Sequence, residues 1–300
     1  MRLAPGDGAW RPHGCLRCGL RWLAAPPTGQ ALQDLYRTGF YEQRPARAAR
    51  IVATLQRWNS RLRLRILADM RPGTMLDIGS GKGHFLAAAR DDGWDVMGID
   101  LSPEAVSYAR ARYRIDVRVG DIAEVDLAER FDVLTLWHVL EHLPRPGETL
   151  VRCHSLLRPG GRLVVSVPNG ASLQARLSRA NWLHLDLPRH IFHFDARSLA
   201  TLLARHGFEV ERKDTYYPEM EIVGLIQSLL NATGGQRDIV YRFLKRDRTV
   251  TSRARVLVAL GLGTLLAPAA VMWSLVAPVL GTGASLQVVA RPVDKRPDRR

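Results

Sequence analysis

The sequence predicts an α/β protein, a parallel sheet with helices on both faces, carrying an unusually apolar segment near its C-terminus. Three observations predict it. Short β-rich runs alternate with longer helical stretches over about residues 74 to 208. A glycine-rich turn, "GSGKG" at 79–83, follows the first of those runs. Between Val256 and Ala290 there is no Asp, Glu, Lys or Arg.

Taken in order, "TMLDIG" is a first strand, "GHFLAAARDDG" a helix closed by Gly93, and "DVMGID" a second strand. The helix "SPEAVSYARARY" has Ser102 as N-cap, Pro103 at its first position and Glu104 in its first turn, each where a helix start favours it. "DVRVGDI", "FDVLTLWHVL" and, after the turn "LRPGG", "GRLVVSVPN" supply strands three to five. The stretch "SLATLLARHGFEVERKDTYY" reads as a helix ending at Gly207 and then a sixth strand, and "SLQVVARP" is a seventh. Five segments follow: a basic N-terminal segment and helical lid at 1–71, a core at 72–217, a helical and partly very hydrophobic insertion at 218–283, a returning strand at 284–292 and a basic tail at 293–300.

Charge narrows the partners. The chain carries a formal net charge of +14, but residues 1–71 hold 13 Lys/Arg against 4 Asp/Glu, 72–235 hold 18 against 21, and 236–300 hold 12 against 4. A nucleic-acid groove would concentrate cations across the core, so no nucleic acid is expected there. The basic flanks suit anionic lipid or RNA equally well. Three cysteines, Cys15, Cys18 and Cys153, cannot build a disulfide framework. The opening is rich in Pro and Gly and lacks an apolar core segment, so no signal peptide is expected and the compartment is reducing cytoplasm.

The glycines suggest the ligand. A tight turn after a first strand lets a ligand approach the backbone, and a carboxylate ending the next strand can hold ribose hydroxyls; Asp100 stands there. A dinucleotide site wants G-x-G-x-x-G, whereas Gly79, Gly81 and Gly83 give G-x-G-x-G with His84 next. Pyrophosphate seeks a helix N-terminus, but an aminoacyl sulfonium nucleoside presents an ammonium, for which Asp77 supplies an acid. A nicotinamide oxidoreductase is disfavoured by this spacing.

The ordered segments "LDIGSGKGHFL", "VMGIDLSPEAV", "GDIAEV", "FDVLTLWHVLEHL" and "LLRPGGRLVVSVPN" resemble those of class I S-adenosylmethionine-dependent methyltransferases. The resemblance covers about residues 72–217 and the final strand. It implies a Rossmann-like seven-stranded sheet with its last strand antiparallel, and S-adenosylmethionine as cofactor. It also implies Asp77, Gly79, Ser80, Gly81 and Gly83 at the methionine moiety, Asp100 at the ribose, and Asp121 with Ile122 at the adenine; Leu101 and Trp137 join the cofactor-binding set. "NWLHLDLPRHIFHFDARSLATLLARHGFEV" is similar to a bacterial subgroup whose members can carry an N-terminal zinc ribbon. Only Cys15-x-x-Cys18 remains of such a ribbon here, with His13 as a third ligand at best where a structural zinc needs four, so no metal is expected.

Methyl transfer is an in-line displacement in which the enzyme aligns the acceptor and removes its proton. Two histidine clusters are candidates. His138, Glu141 and His142 lie three and four residues apart, a spacing that predicts one helical face. His190 and His193 lie in "PRHIFHF", on the acceptor side, with His190 the favoured residue for acceptor binding or base duty. The string H-x-x-E-H also matches inverted zinc peptidases, but it falls at the end of a nucleotide-binding strand. In ubiquinone-type O-methyltransferases the corresponding place can hold a divalent ion; here one acid position reads His138.

The charge-free segment is long enough to cross a bilayer, but the strand at 285–292 would then be on the wrong side of the sheet it joins. Pro268 and Pro278 predict a broken hairpin or an interfacial helix. The cationic "RFLKRDRTVTSRAR" upstream suits anionic lipid. The expected function is methylation of a small-molecule, glycan or lipid-linked acceptor, with peripheral membrane contact through 254–280 on the inner face. A non-catalytic membrane-associated scaffold is the competing function.

Overall fold

The computed structural model describes residues 12–27, 46–244 and 252–293. Most of the basic tail at 293–300, the cationic residues 245–251 and parts of the N-terminal segment lie outside these. In chain order the elements are β1 (Pro12–Gly14), β2 (Arg21–Leu23), α1 (Ala46–Leu64), β3 (Thr74–Ile78), α2 (His84–Asp91), β4 (Asp95–Asp100), α3 (Pro103–Tyr113), β5 (Asp116–Val119) and β6 (Phe131–Trp137). Then come α4 (Pro146–Leu156), β7 (Leu157–Pro168), α5 (Leu173–Ser178), β8 (Phe192–His193), α6 (Ala196–Arg205), β9 (Phe208–Asp214), α7 (Pro218–Ala232), α8 (Ile239–Leu244), α9 (Arg253–Val279) and β10 (Ser285–Pro292).

Seven strands form one sheet in the order β5-β4-β3-β6-β7-β10-β9. The first five are parallel, and β10 enters antiparallel between β7 and β9. Side chains alternate along each strand, so neighbouring residues reach opposite faces. Leu76, Leu134, Val165 and Val288 join one buried cluster with α4 and α6. Met75, Val133, Val164 and Val289 join the other, with α2 and α3. Burial on both faces explains why these strands read as near-continuous apolar runs. Strand order reverses between β3 and β6, so their carboxyl ends open onto a crevice.

Element ends differ from expectation where loops carry the site. The third strand stops at Val119 and the fourth at Trp137, earlier than the apolar runs imply, while β7 begins at Leu157 and takes in "RPGG" as a register shift against β6. A second, three-stranded sheet, β1-β2-β8, was not foreseen. Strands of two or three residues leave too little alternation to detect. The broken hairpin is overturned: α9 is one continuous helix with Pro268 and Pro278 inside it. It packs along α7 with Ala259, Ala270, Ser274 and Ala277 buried, packing that can offset the N–H donors lost at the two prolines.

Because Leu134 is fully buried in the central strand, Leu134→Ala is expected to cost about 2–5 kcal/mol in urea unfolding. Leu101→Ala, at a side chain 65% exposed, is expected to stay within about 0.5 kcal/mol of wild type.

Candidate active site

The turn leaving β3 is built for close approach. Gly79, Gly81 and Gly83 all take positive φ, at 73°, 53° and 72°, the left-handed region that favours glycine. A Cβ on Gly79 would stand 2.4 Å from Val139 Cγ2. The N–H groups of Gly79 and Ser80 both donate to the Ile99 carbonyl, at 2.8 and 3.0 Å. Across the gap, Asp100 Oδ2 accepts from Gly81 N–H at 2.7 Å and Oδ1 from Ser102 N–H at 2.9 Å. Each carboxylate oxygen keeps a lone-pair direction for a further donor. Leu101 projects beside it, exposed, and Ile122 is buried after β5, with Asp121 Oδ1 accepting from Ala123 N–H at 2.9 Å.

Asp77, the fourth residue of β3, is 3% exposed and accepts from the Thr135 hydroxyl at 2.6 Å. Burial raises its carboxyl to about 7, helped by Asp100 and opposed by the Thr135 hydrogen bond and the Arg63 charge. This is an acid short of a cation. Arg63, from α1, was not singled out in the sequence. Its guanidinium carbon lies 5.2 Å from the Trp137 ring and 5.4 Å from the Tyr217 ring, and its Nε and Nη2 donate to Tyr217 Oη at 2.9 and 2.6 Å. Asn59 Nδ2 donates to the same oxygen at 2.8 Å. Ser80 Oγ and Trp137 Nε1 are buried with no hydrogen-bond partner among the described residues.

His138, Glu141 and His142 do not share a helical face. His138 caps β6 with φ at 56°, its N–H donating to the Ser166 carbonyl at 2.8 Å, and only Leu140–His142 forms a short 3-10 turn. The turn still brings His138 Nδ1 to 3.4 Å from Glu141 Oε1. That distance is long for a hydrogen bond, and among the described residues neither Glu141 oxygen has another partner. Burial alone would raise Glu141, but His138, His142 and His190 outweigh it and hold the carboxylate at about 2. The His138 ring stacks on Tyr217 at 5.7 Å, with Ser166 Oγ 3.4 Å from its Nε2.

His190 is buried rather than presented to an acceptor. Its Nδ1 lies 2.8 Å from the His184 carbonyl and its ring 4.6 Å from that of His142. Burial, reinforced by His142, pushes it down to about 4. The segment is clamped by β8 pairing with β2 and by Ile191 N–H donating to the Glu141 carbonyl at 2.8 Å. Glu141, His142 and His190 offer ligand atoms within 4.8 Å of one another, a set that could hold a metal ion where the sequence led us to expect none. Cys15 and Cys18 flank the β1–β2 turn as free thiols, and among the described residues no third metal-binding group joins them.

A model of a methyltransferase domain matches residues 46–213. The chain belongs to this methyltransferase family. A protein of Mycolicibacterium smegmatis named a probable S-adenosylmethionine-dependent methyltransferase is 34% identical over 142 residues, 46% of this chain and 52% of that protein. A ubiquinone biosynthesis O-methyltransferase of Nitrobacter winogradskyi is 32% identical over 150 residues, 48% of this chain and 56% of that protein. The chain thus spans about half the length of these curated relatives. A Burkholderia thailandensis 1,6-didemethyltoxoflavin-N1-methyltransferase, solved with that acceptor and S-adenosylhomocysteine, has a TM-score of 0.50 at 20% identity, covering 94% of this chain and 99% of that one. An Archaeoglobus fulgidus SAM-dependent methyltransferase has a TM-score of 0.50 at 21%, covering 77% and 91%. Both share the fold.

Asp77 makes stability pH-dependent. Its folded carboxyl is raised to about 7, above the ordinary Asp value, so the folded state holds the proton more tightly and loses stability as pH rises through about 4 to 7. Asp77→Asn is expected to flatten that fall and to raise Tm at pH 8, read by thermal unfolding across pH; an unchanged Tm profile would contradict the buried acid.

Proposed function

We propose that the chain transfers a methyl group from S-adenosylmethionine to a small-molecule acceptor bearing a hydroxyl, with a lipid-linked acceptor as the narrower form. The observation that carries this is the buried, under-compensated Asp77 beside a left-handed glycine turn tied to Asp100. Such a crevice fits S-adenosylmethionine, because its ammonium supplies the cation Asp77 lacks and the glycines leave backbone open to it. S-adenosylmethionine would bring an electrophilic methyl on a sulfonium.

This chain's residues divide the remaining work. Asp77 holds the ammonium and Arg63 offers a guanidinium N–H to the methionine carboxylate. Asp100 would take the ribose hydroxyls while Leu101, Asp121 and Ile122 would flank the adenine, with Ser80 and Trp137 in the wall of the same crevice. His138 takes the acceptor's hydroxyl proton, and Glu141 stabilises the resulting imidazolium. His142 and His190 build the wall behind it. Base duty passes from His190 to His138 because burial leaves His190 a weak base near neutral pH, whereas His138 opens beside Tyr217. The hydroxyl is supported by the likeness to ubiquinone O-methyltransferases.

Calorimetry should find S-adenosylhomocysteine at least about tenfold weaker on Asp100→Ala than on wild type, a loss of about 1.4 kcal/mol or more. Equal affinities would remove the assignment. With a panel of phenolic acceptors, His138→Ala should lower kcat by about 10²–10⁴-fold at unchanged S-adenosylhomocysteine affinity. A parallel loss of affinity would make His138 structural.

A further inference from the structure

The longest helix among the described residues is built inside out for water. Toward α7, α9 turns small residues: Ala259, Ala270, Ser274 and Ala277 are buried, and a Cβ on Gly263 would stand 3.3 Å from Ile226 Cγ2. Outward it turns large ones, with Leu257, Val258, Leu260, Leu262, Leu265 and Met272 all exposed. At about 100° per residue these six cover an arc of about 200°. No charge interrupts it. An 18-residue window of α9 has mean hydropathy 2.0 and only 17% of it is buried within the protein. Scattered apolar residues on a surface need no explanation, but a contiguous face of this size marks an interaction site.

We propose that this face seats in the surface of an anionic bilayer, with α9 lying in the plane of the interface. The width of the arc favours lipid over a second copy of the chain, since a helix–helix seam uses a narrower stripe whereas acyl chains conform to half a cylinder. Charge agrees. Arg253 and Arg255 are exposed at the N-terminal end of α9, and projected down the axis they fall near the two borders of the arc. Residues 236–300 carry 12 Lys/Arg against 4 Asp/Glu, the composition that anionic headgroups attract. The helix lies on the membrane and does not span it. Its C-terminal end is followed by β10, which pairs with β7 and β9 inside the sheet, and its N-terminal end packs with α7 and α8 through Val256, Leu230 and Ile239. Both ends therefore stay on one body. The helix α7 that it covers starts next to Tyr217, so docking would set the acceptor side of the crevice near the lipid surface. The docking itself does not depend on methyl transfer.

The test is flotation of the full-length protein with phosphatidylcholine vesicles, with and without a quarter of phosphatidylglycerol, at low salt. At least tenfold more protein should float with the anionic vesicles. Leu265→Glu/Met272→Glu should abolish flotation while thermal unfolding remains cooperative, and Arg253→Glu/Arg255→Glu, at exposed positions, should remove the preference for anionic lipid. No flotation of the wild type, or equal flotation of all three proteins, overturns the proposal. So does a lipid-free dimer that the Leu265→Glu/Met272→Glu variant dissociates without any wild-type flotation, since a second copy would then cover the face. S-adenosylhomocysteine affinity, measured separately, reports on the crevice.

Discussion

The Asp100 carboxylate reaching back to Gly81 N–H is the contact on which the rest of the site depends. After β3 the chain must reverse into α2 without side chains crowding the crevice, and a left-handed turn of three glycines does this at a cost in chain entropy. Strand β4 offsets that cost by stitching the turn down twice, through the Ile99 carbonyl and through Asp100. Gly98 makes the approach possible, because a Cβ there would meet Ser80 Oγ at 2.6 Å. The turn is thereby shaped before any ligand arrives, which is the preorganisation that transfer between two bound molecules requires.

Two buried acids then receive opposite treatment. Asp77 meets one hydroxyl and a distant guanidinium, and its carboxyl rises; Glu141 meets three histidines and falls. Environments that push titratable groups apart separate their roles. In the proposed function the first receives the cofactor's cation, and the second stabilises positive charge on His138. Arg63 links the two halves, stacked between Trp137 and Tyr217, so α1 belongs to the site although it lies far from the glycine turn in sequence.

Much of this was legible in the residues. The Ser102 cap, the strands at 95–100 and 285–292 and the helix–strand alternation follow from local rules, and the structure bears them out. The glycine turn was legible because spacing alone separates it from a dinucleotide site. Arg63 was hidden among 13 basic residues in the first 71, with nothing local to mark it. The helical face drawn through His138, Glu141 and His142 failed because spacing cannot show that His138 takes a left-handed turn at the strand's end. The sequence placed His190 on the acceptor side, and its burial there was hidden because its segment pairs through β8 with an N-terminal hairpin, and long-range pairing of short strands has no sequence period. The prolines of α9 misled for a related reason: tertiary packing overrode a local breaker.

The crevice and the apolar helix lie on connected elements, since α7 carries Tyr217 at its cap and α9 along its flank. The most direct measurement of the central claim is a crystal structure of the chain grown with S-adenosylhomocysteine. It should show the aminoacyl end at Asp77, the ribose hydroxyls on Asp100 and the turn at 79–83 unmoved. A ligand bound away from the carboxyl ends of β3 and β4, or a turn that has to refold to admit it, would contradict the account.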